Sequence, residues 1–166
     1  MGEKDIKLIL EEVNSNYKDE KMKNRFINEI SLTCNNEIET LCKLWQYNGT
    51  EFNKSLNYCK LRLLSYMEFS EKPIQTYRGM HFDKNKYNDP HEVFNDILPF
   101  KNMIVASSEN ISVALNFSKY YSGDTSIIST LSIMESNCYL NINKYTKEGP
   151  SEIILYRPVI IVNTIL

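Results

Sequence analysis

One change in hydrophobic pattern constrains the fold of this chain more than any other feature. Before the segment Thr76-Tyr77-Arg78-Gly79-Met80, apolar residues recur at helical spacing, and after it they form short runs typical of strands. A chain that is helical first and strand-rich afterwards is typical of the α+β class, here with mainly antiparallel strands. The 166 residues are enough for a sizeable core. We therefore predict a single domain over residues 1–166, mainly helical over 1–70 and mainly strands over 71–166.

The spacing of apolar residues also predicts where the individual elements lie. The predicted helices cover residues 4–13, 19–31, 36–47 and 51–66 in the first part, and about 91–97 and 111–117 in the second. Thr50 follows an Asn-Gly turn and is the predicted cap of the fourth helix. The predicted strands cover residues 74–80, 103–106, 126–133, 138–142, 152–156 and 159–166. Residues 81–99 are otherwise read as a polar loop that contains both histidines.

Composition excludes several classes of protein. The net charge of -2 provides no electrostatic case for binding nucleic acid or a membrane surface. No apolar run is long enough to cross a bilayer, and the charged N-terminus lacks a secretory signal. The four cysteines form no C-x-x-C pair and have no histidine nearby. We therefore expect reduced thiols, no metal site and a cytoplasmic location.

Arg78 is an unusual residue for an apolar strand. Arginine is costly to bury unless a negative group meets it, and its planar guanidinium suits phosphate or carboxylate. Gly79 behind it allows a ligand or another backbone to approach closely. Arg78 is therefore either the anchor of an anionic ligand or a surface arginine at a strand end, and the spacing alone does not choose between them.

Two further positions in the second half of the chain have side chains suited to ligand binding or catalysis. Ser107 and Ser108 end a strand that leads into a helix, where a hydroxyl caps the helix or bonds across a cleft. Glu152 opens the apolar strand Ile153-Ile154-Leu155, where a carboxylate is either a solvated end residue or a group that stabilises positive charge in a cleft. No nucleophile-histidine arrangement and no glycine-rich phosphate motif accompanies them.

Taken in order, these segments resemble the arginine-serine-glutamate subgroup of the ADP-ribosyltransferase superfamily. The resemblance runs from about Leu44 to the C-terminus. It is carried by the Trp45–Arg62 stretch with its Tyr47, Asn57 and Leu61-Arg62, by Tyr77-Arg78-Gly79, by Val105-Ala106-Ser107-Ser108 with the helix after it, and by Glu152-Ile153-Ile154-Leu155. It implies a two-sheet, mainly antiparallel core with an NAD cleft.

The resemblance implies roles for three catalytic residues. Arg78 is expected to hold the pyrophosphate and the nicotinamide-side ribose of NAD, which is the substrate. Ser107 is expected to position Glu152. Glu152 is expected to bond the ribose 2′-hydroxyl and to stabilise the oxocarbenium-like transition state as nicotinamide leaves, which agrees with the positive charge that glycosidic cleavage develops on a sugar.

Further contacts are implied in the same way. The residues expected around NAD, besides the catalytic three, are Tyr77, Gly79, Ser108, Asn57, Phe117 and Tyr121. Tyr145 and Glu148 are expected on the acceptor side. The expected acceptor is a protein, with a nucleic acid as the alternative, and the expected setting is the cytoplasm, including that of a host cell reached by a delivered or viral effector.

Two positions depart from the family's pattern. Ala106 stands where the family's first serine usually lies, and Pro150 stands two residues before Glu152, where many relatives carry Glu or Gln. Proline has no side-chain group with which to activate an acceptor. These departures keep two alternatives open: an NAD glycohydrolase in which water attacks, and an inactive module that binds ADP-ribose or a nucleotide or inhibits another protein.

Overall fold

In the computed structural model, the described part of the chain comprises residues 2–69, 74–82, 104–118, 125–133, 138–147, 149, 151–156 and 158–165. It divides into two compact units. A helical unit contains residues 1–67 with 144–147, and a strand unit contains residues 68–143 with 148–166. The predicted α+β order, with N-terminal helices followed by antiparallel strands, is confirmed. The single-domain prediction stays a prediction.

Five α-helices make up most of the helical unit, and three of them have an Asp or Asn cap. They are α1 (Gly2–Asn16), α2 (Glu20–Arg25), α3 (Glu37–Tyr47), α4 (Gly49–Ser55) and α5 (Asn57–Ser65). The capping side chains of Asp19, Asn36 and Asn48 each accept a backbone N–H three residues on, at 2.9–3.1 Å. Asn48, not the predicted Thr50, therefore caps α4, since its side chain reaches the N–H of Glu51.

The predicted helix over 19–31 changes its winding after Arg25. A π-helix covers Phe26–Ile30 and a 3₁₀ turn covers Ser31–Thr33. The Ser31 N–H reaches back five residues to Phe26, and its hydroxyl donates to the Ile27 carbonyl at 2.6 Å. The serine side chain thus satisfies the carbonyl that the wider turn leaves without its α-helical donor.

The predicted helix over 51–66 is also divided. The backbone leaves helical geometry at Leu56, which is fully buried, and α5 starts at Asn57. The new N-terminus is capped from α1, because the Glu12 carboxylate accepts the N–H groups of Tyr58 and Cys59 at 2.7 and 2.8 Å. A contact between residues 46 positions apart is invisible to a local reading of the sequence.

The described residues of the strand unit form seven strands in two sheets. The strands are β1 (Glu68–Phe69), β2 (Ile74–Phe82), β3 (Ile104–Ser107), β4 (Thr125–Ile133), β5 (Cys138–Asn141), β6 (Ile153–Tyr156) and β7 (Val159–Ile165). One sheet has the order β1-β5-β6-β3 and the other β2-β4-β7, and every pairing among these described strands is antiparallel. β2 continues through His81, so this histidine lies in a strand and not in the predicted loop.

Helix α6 (Ile111–Ser118) follows β3, as the apolar spacing predicts. A 3₁₀ turn, Ile142–Lys144, follows β5. The predicted helix near 91–97 lies outside the described residues. The centre of the first sheet is apolar on both faces, since three consecutive residues of β6, Ile153, Ile154 and Leu155, are buried. The candidate site lies at the start of this strand.

Candidate active site

Arg78 lies in the middle of β2, opposite Ser129 of β4. Its Nη1 donates to the Ala106 carbonyl at 2.9 Å, and its Nε is buried with no hydrogen-bond partner among the described residues. Burial lowers the pKa of the guanidinium from its usual value, and the negative charge of Glu152 acts in the opposite direction. Arg78 is therefore a half-buried, desolvated cation whose hydrogen bonding among the described residues is incomplete.

Ser107 is the last residue of β3 and is buried. It lies opposite Ile153, and its hydroxyl donates to the Ile153 carbonyl at 2.8 Å. The family resemblance implied that Ser107 positions Glu152. The structure provides a contact with the backbone of the residue after Glu152, so any positioning runs through the start of β6.

Glu152 immediately precedes β6 and is half-buried. Its N–H donates to the Asn143 side-chain oxygen at 2.8 Å, and its carbonyl accepts the Ile142 N–H at 3.1 Å. The main chain is thus held on both sides, and the carboxylate is close enough to act electrostatically on Arg78. Among the described residues, no ion pair or direct hydrogen bond joins the two charged groups.

Gly79 is required by the packing of α6 against β2. A Cβ atom at this position would lie 1.7 Å from the Ala114 carbonyl oxygen and 2.9 Å from the Ser118 nitrogen. Both are backbone atoms of α6, which cannot yield as a flexible side chain would. Gly79 therefore places α6 directly beside Arg78. Nothing in this contact assigns Gly79 to a ligand.

A short backbone contact joins the two sheets next to the same arginine. Tyr77 and Ser108 exchange two backbone hydrogen bonds, at 2.8 and 2.9 Å. Ser108 is buried, and its hydroxyl accepts the Asn110 N–H at 3.1 Å. Asn110 in turn caps α6 by accepting the Ser112 N–H at 2.9 Å. Ser108 thus belongs to the turn into α6, one of the two roles that the sequence left open.

The remaining predicted contact residues are divided between the two units. Asn57 is the exposed first residue of α5 and Tyr145 is half-buried, and both belong to the helical unit. Phe117 lies on α6 in the strand unit with 56% of its surface exposed. Tyr121 and Glu148 lie outside the described residues. The structure therefore brings together Arg78, Ser107 and Glu152, with the backbone of Ala106 between them.

Local reasoning missed two residues of this region. The Ala106 carbonyl accepts a hydrogen bond from Arg78, and no pattern of side chains in a sequence predicts which backbone carbonyl will do so. Asn143 holds the N–H of Glu152. Its position after β5 had a usable signal, because an Asn-x-Asn pair (Asn141 and Asn143) at the end of an apolar strand is typical of side-chain-bonded turns. Asn141 accepts the Asn143 N–H at 3.0 Å in such a turn.

The arrangement has the charges needed to hold an anion and to stabilise a cation. Arg78 offers a desolvated positive charge with an unused donor, which fits a phosphate-bearing ligand. Glu152 offers a carboxylate on a fixed backbone, which fits positive charge that develops on a sugar. Among the described residues, no group of three or more His, Cys, Asp or Glu side chains could hold a metal ion.

Within the described residues, no helix combines the length and apolar character needed to cross a membrane.

Comparison with known proteins adds no relative from which a role could be transferred. No protein-family model, no curated protein and no solved structure matches this chain.

Proposed function

We propose that this protein is an NAD-dependent mono-ADP-ribosyltransferase that cleaves the nicotinamide–ribose bond of NAD and transfers ADP-ribose to a protein acceptor. The observation that carries the proposal is that two hydrogen bonds link three distant segments and that the charge of Glu152 acts on Arg78. Arg78 bonds the residue before Ser107, Ser107 bonds the residue after Glu152, and Glu152 acts electrostatically on Arg78. In this proposal the two antiparallel sheets form an ADP-ribosyltransferase-like core, and NAD lies in a cleft beside Arg78.

Each residue has a role that its surroundings support. Arg78 binds the pyrophosphate, because a desolvated guanidinium with an unpartnered Nε gains most from a doubly charged partner. Glu152 faces the nicotinamide ribose and stabilises the positive charge that develops at C1′ as nicotinamide departs with the bonding electrons. A nucleophilic atom of the acceptor then forms the new bond to C1′ and loses its proton to solvent.

Ser107 has an indirect role in this mechanism. Its hydroxyl donates to a backbone carbonyl, so it fixes the strand that begins beside Glu152 and does not need to touch the carboxylate. Ala106 supports the proposal through its carbonyl, which orients Arg78, and this task does not require the serine that the family usually has there.

The test is incubation of the purified protein with NAD labelled on the adenylate side, with and without a cell lysate. We expect nicotinamide release and label on a protein band for the wild type, and neither for Glu152→Gln. The control is Glu51→Gln, a carboxylate of the helical unit that accepts the Lys18 N–H and has no part in the proposed site. Equal labelling by the wild type and Glu152→Gln contradicts the proposal.

Two other outcomes replace the proposal with a different function. Nicotinamide release without any labelled macromolecule identifies an NAD glycohydrolase, for which the absence of an acceptor-side Glu or Gln at Pro150 is the supporting sequence feature. Saturable NAD binding with no turnover identifies a nucleotide-binding module.

A further inference from the structure

A side chain in the turn after β5 holds the main chain of Glu152. Hydrogen bonding between strands does not supply this contact. β6 begins at Ile153, so the N–H of Glu152 has no partner in the strand ladder. Asn143 supplies the acceptor at 2.8 Å. Of the residues just before Glu152 that the structure describes, Gly149 is exposed with a φ of +84° and Ser151 is exposed.

Asn143 is itself held in place. Its own N–H donates to the Asn141 side chain at 3.0 Å, and Asn141 is paired with Ile153 in the sheet. The neighbouring Ile142 is fully buried and donates its N–H to the Glu152 carbonyl at 3.1 Å. The acceptor oxygen of Asn143 is therefore presented from a turn that both the sheet and the core fix.

We propose that Asn143 is a positioning residue for Glu152: its side-chain oxygen fixes the peptide from which the carboxylate projects and so sets the distance between that carboxylate and the reacting sugar. The proposal rests on the proposed function. A carboxylate that stabilises a transition state must be held close to its productive position, and a shift of about 1 Å can lower a rate by about a hundredfold.

Two substitutions separate positioning from mere support of the fold. Asn143→Ala removes the acceptor, and Asn143→Asp retains an acceptor oxygen at the same place. We expect Asn143→Ala to lower kcat for NAD cleavage by about ten- to a hundredfold with less than about a twofold change in KM, because Arg78 and the rest of the binding surface are untouched. Asn143→Asp should recover most of this loss.

A matched control removes an asparagine with the same kind of contact elsewhere. Asn36 accepts the Glu39 N–H at 2.9 Å at the start of α3 in the helical unit. Asn36→Ala should lower the ratio of folded to unfolded protein by about fivefold, as a lost cap does, and leave kcat unchanged. A fall in kcat for Asn36→Ala similar to that for Asn143→Ala overturns the proposal, because the effect would then follow stability.

Amide hydrogen exchange at Glu152 tests the contact without using activity. The Glu152 N–H should exchange about five- to tenfold faster in Asn143→Ala than in the wild type or in Asn143→Asp, in proportion to one lost hydrogen bond. Unchanged exchange overturns the proposal. A wild type that consumes no NAD overturns the proposed function and the kinetic role of Asn143 together, whereas an active wild type with an unaffected Asn143→Ala overturns this inference alone.

Discussion

Two arginine–glutamate combinations among the described residues are built in opposite ways. In the helical unit, Arg62 donates from both Nε and Nη2 to the same oxygen of Glu37, at 3.1 and 2.6 Å, and Tyr66 donates to that oxygen at 2.7 Å. In the strand unit, Arg78 donates to a backbone carbonyl, and Glu152 influences it through charge without a direct bond.

The difference separates a structural pair from a candidate functional pair. The Glu37 side chain is 3% exposed and Arg62 is 37% exposed, so the buried carboxylate is neutralised by a cation that remains partly solvated. Burial by itself would raise the pKa of Glu37, but the hydrogen bonds from Arg62 and Tyr66 and the charge of Arg62 outweigh it and lower that pKa. Arg62 bonds its carboxylate directly through Glu37 Oε1, and only the second oxygen, Oε2, is buried without a partner among the described residues. Arg78 has no direct bond to a carboxylate there and leaves its Nε without a partner. A cation without a direct counter-ion is the one that an anionic ligand can complete.

The largest expected effect comes from replacing the two carboxylates by amides. Glu152→Gln should lower kcat by about a hundred- to a thousandfold and change the free energy of unfolding by less than about 1 kcal/mol, because it removes a charge needed mainly in the transition state. Glu37→Gln should leave kcat unchanged and cost about 2 kcal/mol of stability, because it removes charge-assisted bonds. Single-turnover kinetics and urea unfolding measure the two quantities. An unfolded Glu152→Gln would mean that Glu152 is structural.

A second pair of substitutions exchanges each arginine for methionine. Arg62→Met leaves the Glu37 carboxylate buried without its cation and should lower the free energy of unfolding by about 2–3 kcal/mol. Arg78→Met removes a desolvated charge that makes one hydrogen bond to the part of the chain that the structure describes, so stability should change by less than about 1 kcal/mol in either direction. Thermal and urea unfolding of both variants measure these changes in the free energy of unfolding. A larger loss for Arg78→Met than for Arg62→Met would reverse the comparison.

A third substitution tests NAD binding and not folding stability. Arg78→Lys keeps the charge but replaces the planar fork by a point charge, so NAD affinity should fall by about tenfold. Calorimetric titration measures it, with Arg62→Lys as the matched control whose NAD affinity should stay the same. Unchanged affinity of Arg78→Lys would show that Arg78 does not meet NAD.

The smallest expected effect is a difference in acid sensitivity. The pKa of Glu37 is lowered in the folded protein, so its stabilising contribution is present above the usual glutamate range and is lost as pH falls through the lower folded value. The free energy of unfolding should therefore fall below about pH 4 in the wild type. In Arg62→Met, burial dominates at Glu37, so the pKa of this carboxyl is raised in the folded protein and not lowered. Acidification between pH 5 and 3 should therefore lower the free energy of unfolding of that variant less than that of the wild type. Equal acid slopes in the two proteins would contradict this account.

The sequence predicted the strands more accurately than the course of two of the helices. The boundaries of β4, β6 and β7 fell within one residue of their predicted positions, because runs such as Ile153-Ile154-Leu155 are governed by local hydrophobicity. The predicted helix over 51–66 was wrong at Leu56, because the break is stabilised by Glu12 from a different helix. The predicted helix over 19–31 is helical as expected, but its winding changes from α to π after Arg25, where the backbone N–H of Ser31 takes the wider π-type bond to Phe26.

The candidate site divides in the same way. Arg78, Ser107 and Glu152 were predictable as residue types, since a strand arginine, a strand-end hydroxyl and a strand-opening carboxylate are visible in the order of the chain. Tertiary structure alone decided their bonds: Arg78 to the Ala106 carbonyl, Ser107 to the Ile153 carbonyl, and Asn143 to the N–H of Glu152. The physical reason is that hydrophobic spacing determines which segments become strands, whereas hydrogen-bond partners depend on atoms brought together from distant parts of the chain.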